Sequence, residues 1–189
     1  MISRRQTLQR MARVGAGVAA VWRTSAFAST FMEIEQAQKL LLPRATTFAD
    51  RPLALDATRL SALAAASQTT VPHGYAPRCW TASVESEVLG WILADRVVGK
   101  YELIDYAAGF QSDGSMTGLE ILAYRESHGA EIRNPAWRKQ FAGRKGASQI
   151  KFGDDIRNIS GATLSCQHVT QGAQRLSALV QMLRSPAAG

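Results

Sequence analysis

Residues 87–124 read EVLGWILADRVVGKYELIDYAAGFQSDGSMTGLEILAY, and the punctuation of this stretch decides the fold class. Three runs rich in Val, Ile, Leu, Tyr and Trp occupy 87–98, 101–110 and 116–124. Gly99-Lys100 separates the first two, and Ser112-Asp113-Gly114-Ser115 separates the second pair. Asp-Gly between apolar runs is a strong hairpin signal, because glycine accepts the positive φ that a tight turn needs. Three strands joined in this way form an antiparallel meander. Alternation places Ile104, Tyr106 and Ala108 on one face of the central strand, and Leu119, Ile121 and Ala123 on one face of the next.

Helical spacing flanks the meander on both sides. Upstream, Ile34, Ala37, Gln38 and Leu41 repeat with helical period within 33–42, and Pro43 ends the run. A second helix starts after Asp56, an N-cap candidate, and carries Leu60, Leu63 and Ala64. Residues 67–78 hold Pro72, Gly74 and Pro77 and read as a loop. These two helices are expected to make an N-terminal helical layer over 29–86. Downstream, 125–133 is polar and irregular, Pro135 opens a short helix through Phe141, and Gly143 and Gly146 close it. The last helix spans about 164–183. Val169, Ala173, Leu176, Val180 and Leu183 form its apolar stripe, with Gln167, Gln171, Gln174 and Arg175 expected to face water. The class is α+β: an antiparallel β-meander packed with helices, the longest helix last.

The charge is unevenly distributed. The chain has 189 residues and a formal net charge of +7, yet five of its 22 basic residues lie in 1–28, where there is no acid. The remaining 17 basic residues face 15 acidic ones, so the basicity belongs to the leader and nucleic-acid binding loses its compositional support. That leader has paired arginines, Arg4 and Arg5, before a weakly apolar stretch from Val14 to Trp22, and then Ala26-Phe27-Ala28. The pattern reads as an export signal cleaved after Ala28, twin-arginine-like rather than leucine-rich, although Thr7 stands where that motif usually has Phe. The expected location is the periplasm. The chain contains no apolar run of transmembrane length. Cys79 and Cys166 are the two cysteines; an oxidising compartment would let them pair, and their spacing leaves open whether they meet. Their pattern matches no zinc site, and no Cys-x-x-Cys-His is present for a c-type haem.

Chemistry concentrates in Asp154-Asp155-Ile156-Arg157-Asn158-Ile159-Ser160-Gly161-Ala162-Thr163-Leu164-Ser165, immediately before the long helix. A helix N-terminus presents unpaired N–H groups and partial positive charge, which favour a phosphate. Gly161 and Ala162 would let a ligand approach the backbone. The hydroxyls of Ser160, Thr163 and Ser165 could bond a phosphate or be esterified to one. The plainer reading is helix capping by Ser160 or Thr163.

Ser160-Gly161-Ala162-Thr163 resembles the flavinylation motif of the FMN-binding domain family, to which subunits of the sodium-translocating NADH:quinone oxidoreductase and the Rnf complex belong. The likeness extends upstream: Glu126-Ser127-His128-Gly129 sits where the family has a Glu-Thr-Pro-Gly-like turn, and Asn134-Pro135-Ala136-Trp137 with Gln140-Phe141-Ala142-Gly143 resembles its next short helix. It covers 87–183, so the expected organisation is 1–28 export signal, 29–86 helical layer and 87–189 FMN-binding domain. The resemblance implies FMN bound covalently to Thr163 by a phosphoester, installed by a magnesium-dependent flavin transferase that uses FAD. It also implies electron transfer with membrane or periplasmic redox partners, so the protein is an electron carrier rather than a turnover enzyme, with no catalytic residue of its own. Two departures stand out. Several members carry Asp where this chain has Arg157, with Asp155 nearby as a substitute for maturation, and His128 replaces the usual Pro. The cofactor-binding set is thus Thr163, Ser160, Gly161, Ala162, Ser165, Glu126, Ser127, His128, Gly129 and Trp137. Trp137 is equally readable as a core anchor, and Glu126 and Glu131 beside His128 as an acid/base group or a solvated loop. Rival functions are a non-redox binding module on the same fold and a flavin-dependent reductase with its own small-molecule acceptor.

Overall fold

Six strands form one antiparallel sheet in the computed structural model, which describes residues 29–185. The export leader and its cleavage point lie outside the described residues. The centre of the sheet is the expected meander: β4 (Glu87–Val98), β5 (Leu103–Gln111) and β6 (Met116–Tyr124). The Gly99 amide donates to the Glu102 carbonyl at 2.8 Å and closes the first turn. In the second, Asp113 Oδ1 accepts from the Ser115 amide at 2.8 Å and its hydroxyl at 2.6 Å. Gly114 there has φ +86°, a left-handed conformation that favours glycine.

Three further strands extend the meander. β1 (Ser29–Thr30) pairs with β6, β3 (Arg78–Val84) with β4, and β2 (Thr47–Asp50) with β3, giving the order β1-β6-β5-β4-β3-β2. The expected helical layer over 29–86 is therefore corrected. This region supplies three strands and one helix to each face of the sheet. Helix α1 (Ile34–Leu41) packs on one face, where Ala37 and Leu41 meet Trp80, Ile92 and Ala107. Helix α2 (Ala57–Ser67) lies on the other, its N-cap Asp56 accepting from the Arg59 amide at 2.8 Å as expected. Trp80 is the main strand signal in β3, which reads RCWTASV and is otherwise mostly small and polar, and β2 is only four residues long with an exposed edge.

One irregularity matters for the site. The β5–β6 register slips between Asp105 and Tyr106, so that Asp105 pairs with Ala123 while Tyr106 pairs with Ile121. The extra residue is a β-bulge, which shifts the alternation. Leu119 and Ile121 enter the main core as expected, but Ala123 does not; Tyr124 takes that side instead.

Helix α4 (Thr163–Arg184) crosses that face of the sheet, with Val169, Ala173, Leu176 and Val180 buried. It meets β5 closely at Gly172, where a Cβ would fall 2.1 Å from the Tyr106 hydroxyl. The flank expected to face water does not: Gln167, Gln171 and Gln174 are half-buried, and Arg175 is only 5% exposed. The loop after α2 covers this flank, its Thr70 carbonyl accepting from Arg175 Nη1 at 3.3 Å. Cys79 on β3 and Cys166 on α4 are both buried and free, so the open pairing resolves to two thiols. Burial pushes the Cys79 thiol up to about 11. No described helix is long and apolar enough to cross a membrane.

Candidate functional site

The segment leading into α4 is a short turn held by its neighbours. The Ala162 amide donates to the Ile159 carbonyl at 3.0 Å, with Gly161 at φ +87° in the third position of the turn. A positive φ there suits glycine, and nothing lies within 4 Å of the place its Cβ would take, so the surface at Gly161 is open. The N-cap of α4 is Ala162, with no side-chain cap. Neither Ser160 nor Thr163 caps the helix. Among the described residues the amides of Thr163, Leu164 and Ser165 have no hydrogen-bond partner, and the first end-closing bond is Cys166 N–H to Ala162 C=O at 2.9 Å. A helix of 22 residues therefore ends in three free donors and the positive pole of its dipole.

Thr163 is exposed, and its Oγ1 accepts from Asn158 Nδ2 at 2.9 Å. With a lone pair engaged by Asn158, the Thr163 hydroxyl keeps its own proton free to point outward. Ser160 is exposed on the turn, whereas Ser165 is buried and shares a 3.1 Å hydrogen bond with Tyr124 Oη. Tyr124 also donates to the His128 carbonyl. Its hydroxyl thus ties the end of β6, the turn at 126–129 and the first turn of α4 into one unit. Gly129 completes the joint. At φ +87°, its Cβ would sit 2.6 Å from Tyr124 Oη and 3.4 Å from Ala162 Cα. Burial raises the Tyr124 phenol above its ordinary value, with the Ser165 hydrogen bond opposing the shift.

The other expected residues have different employment. Glu126 does not face the attachment segment: its Oε1 accepts from the Tyr101 amide at 2.6 Å and the Glu102 amide at 2.9 Å, pinning the β4–β5 turn. Partial burial opposes its ionisation, but those amides and that of Lys100 together hold the Glu126 carboxyl below its usual range. Ser127 pairs with His128 Nδ1 at 2.9 Å on the surface, and neither bonds Glu126 or Glu131. The three groups do not form an acid/base cluster. Trp137 is 3% exposed and edge-on to Phe141, at 5.2 Å between ring centroids, which is the core-anchor reading rather than a free stacking face. Its Nε1 donates to the Arg157 carbonyl at 2.8 Å, and Gln140 Oε1 accepts from the Arg157 amide at 2.8 Å. The short helix α3 (Pro135–Arg138) and the residues after it therefore fix the segment from outside. Asp155 has both carboxylate oxygens occupied, by Arg144 Nη1 at 3.1 Å and the Lys151 amide at 2.8 Å, and folds the loop over 144–156.

Residues 99–178 match the model of the FMN-binding domain family. This part of the chain is thus similar to an FMN-binding domain. The matched region begins in the β4–β5 turn and ends inside α4, taking in the Tyr124 joint and the whole attachment segment. No curated protein matches the chain. The residues at the head of α4 fit a flavin anchored by its phosphate: an exposed hydroxyl, three free amides and open space at Gly161. Sequence reading missed Asn158 and Tyr124. Asn158 lies five residues before Thr163 and only the turn brings them together, while Tyr124 depends on the bulge.

A second polar feature lies on the flank of the matched region. A cleft of about 1030 Å³ runs past His168, Gln171 and Arg175 on one face of α4, the end of β4 and the loop at 70–76. None of residues 157–167 lines it. Nor do the described residues contain a His, Cys, Asp or Glu group able to hold a metal ion.

Proposed function

We propose that the protein is an exported electron-transfer flavoprotein carrying one FMN through a phosphoester on Thr163. The observation that carries this reading is the Thr163 hydroxyl itself. It is exposed, oriented by Asn158 and placed on the first turn of an uncapped helix within the region similar to an FMN-binding domain. Maturation would be a group transfer from FAD. Thr163 Oγ1 attacks the FMN-side phosphorus, the pyrophosphate P–O bond breaks, AMP leaves and the hydroxyl proton is lost. Asn158 orients Oγ1, and the free amides of Leu164 and Ser165 take the phosphodiester oxygens, whose single charge the helix dipole favours. A magnesium-dependent flavin transferase supplies the metal and FAD. Ser165 does not compete as acceptor, because its hydroxyl is buried against Tyr124.

Once attached, FMN supplies one- and two-electron transfer, and the protein contributes position and environment. A tether keeps the flavin at high effective concentration in a compartment without a free pool. The leader at 1–28 supports delivery to the periplasm, where membrane or periplasmic redox partners would exchange electrons with it. The test is the intact mass of the protein produced with and without an active transferase. A gain of one FMN less one water, on the peptide holding Thr163, supports the reading. A colourless, unmodified chain beside a transferase that modifies another target refutes it and favours a non-redox binding module.

A further inference from the structure

The flank of α4 holds a buried polar group that the flavin reading does not use. Asp95 and Arg175 have side chains 5% and 6% exposed, yet the nearest approach of the guanidinium to the carboxylate is 3.9 Å, too long for a hydrogen bond. Asp95 Oδ2 instead accepts from Tyr106 Oη at 2.9 Å. Arg175 Nη1 reaches the Thr70 carbonyl at 3.3 Å, while its Nε has no partner. Tyr75, whose ring lies 5.6 Å from the Arg175 guanidinium carbon, also has a buried hydroxyl without a partner.

Two orphaned groups side by side in the interior are costly, because each has given up its hydrogen bond to water without a replacement. Both can be satisfied by one kind of atom. An arginine Nε is a donor only, and a tyrosine hydroxyl donates readily, so the missing partner is an acceptor oxygen. Arg175 and Tyr75 both line the cleft, together with Val97 and Pro72, so an oxygen-bearing molecule with an apolar body can enter from solvent. The Arg175 guanidinium, which no carboxylate hydrogen-bonds, favours an anion; Arg96 and Arg125, which share the Asp105 carboxylate at 3.4 Å and 2.7 Å, lie on the opposite face of the sheet. Burial raises the Asp95 carboxyl above its ordinary value.

We propose that this cleft is a second binding site, separate from the flavin anchor, for a small organic carboxylate held by Arg175 and Tyr75. Arg175 lies twelve residues beyond Thr163, about 18 Å along the helix at 1.5 Å per residue. Between them stands His168, whose Nδ1 meets the Val98 and Gly99 carbonyls at 2.7 and 3.0 Å.

The probe is benzoate, with benzamide as its uncharged counterpart, titrated by calorimetry into the full chain made without a flavin transferase. Saturable benzoate binding is expected, with benzamide weaker. Tyr75→Phe, which removes only the hydroxyl, should weaken benzoate about tenfold, the scale of one hydrogen bond to a charged group. Arg175→Lys should abolish binding while keeping the charge; if that chain fails to fold, the Tyr75→Phe titration decides alone. Thr163→Val should bind benzoate like the unchanged chain, whether or not the flavin reading holds. No benzoate binding at millimolar concentration would overturn the site and leave the orphaned donors to buried water. Equal affinity in Tyr75→Phe would place any binding elsewhere. Loss of benzoate binding once flavin is attached would make the cleft a berth for the flavin and overturn a separate site.

Discussion

The head of α4 and its flank both leave hydrogen-bond donors unpaired, and they do so under opposite conditions. At the head, the amides of Thr163, Leu164 and Ser165 lie beside an exposed threonine on an open turn. Water satisfies such groups, so leaving them free costs little, and an arriving phosphate displaces only solvent. On the flank, Arg175 Nε and Tyr75 Oη are orphaned inside the fold, where every missing partner weighs on stability. The difference separates two kinds of substitution. Changes at the exposed Thr163 should alter modification and leave stability untouched, and changes on the flank should do the reverse.

The largest expected effect sharpens that contrast. Thr163→Val should abolish flavin incorporation entirely, read by intact mass, while the melting temperature stays put, because surface changes of this kind fall within about 0.5 kcal/mol. Ser165→Ala should retain incorporation. On the flank, Gly172→Ala should destabilise by about 1–3 kcal/mol in denaturant melts. Its Cβ collides with the Tyr106 hydroxyl that serves Asp95, yet flavin incorporation at Thr163 should persist. Incorporation lost in Gly172→Ala, with the fold intact, would break the comparison by coupling the two regions.

Tyr124→Phe probes the joint between them. It removes the bonds to the His128 carbonyl and Ser165 Oγ and should cost about 1 kcal/mol. It should also slow incorporation, because the first turn of α4 loses its tie to β6. The smallest effect is a pH dependence at Glu126. Its carboxyl is held below the usual range in the folded protein, so its contribution is fully present above the ordinary glutamate value of about 4.3 and is lost as pH falls through the lowered folded value. Hydrogen exchange at the Tyr101 and Glu102 amides, corrected for intrinsic rate, should therefore accelerate in that acid window. In Glu126→Gln the acceleration should be present already at neutral pH.

Much of the fold is legible from local chemistry, and the losses have identifiable causes. Asp113-Gly114 marks its own hairpin, Asp56 its own cap, and Asn134-Pro135 its own short helix, the Asn134 side chain accepting from the Ala136 amide at 2.9 Å. In each case the partners lie within a few residues. The outer strands fail because a short edge strand has no periodicity to read. Arg175 fails for a related reason. A single helix pattern identifies one apolar stripe, whereas α4 is covered on two sides, by the sheet and by the loop after α2. Glu126 lies in the turn its motif marks, and its carboxylate serves amides 24 and 25 residues away, partners that no local pattern announces.

The meander, the long final helix and the hydroxyl at its head can be read from the residues alone, since hairpins, caps and amphipathic stripes depend on neighbours close in the chain. The FMN-binding character was legible there too, in Ser160-Gly161-Ala162-Thr163. That Ala162 leaves the helix uncapped, that Asn158 holds the Thr163 oxygen and that Tyr124 locks three segments together emerges from the folded arrangement. It alone also decided that Arg175, Tyr75 and Asp95 meet beneath the surface. Their β4 and α4 members lie 80 residues apart. Contacts at such separation are set by how the sheet twists, slips and is covered, and no local pattern encodes them.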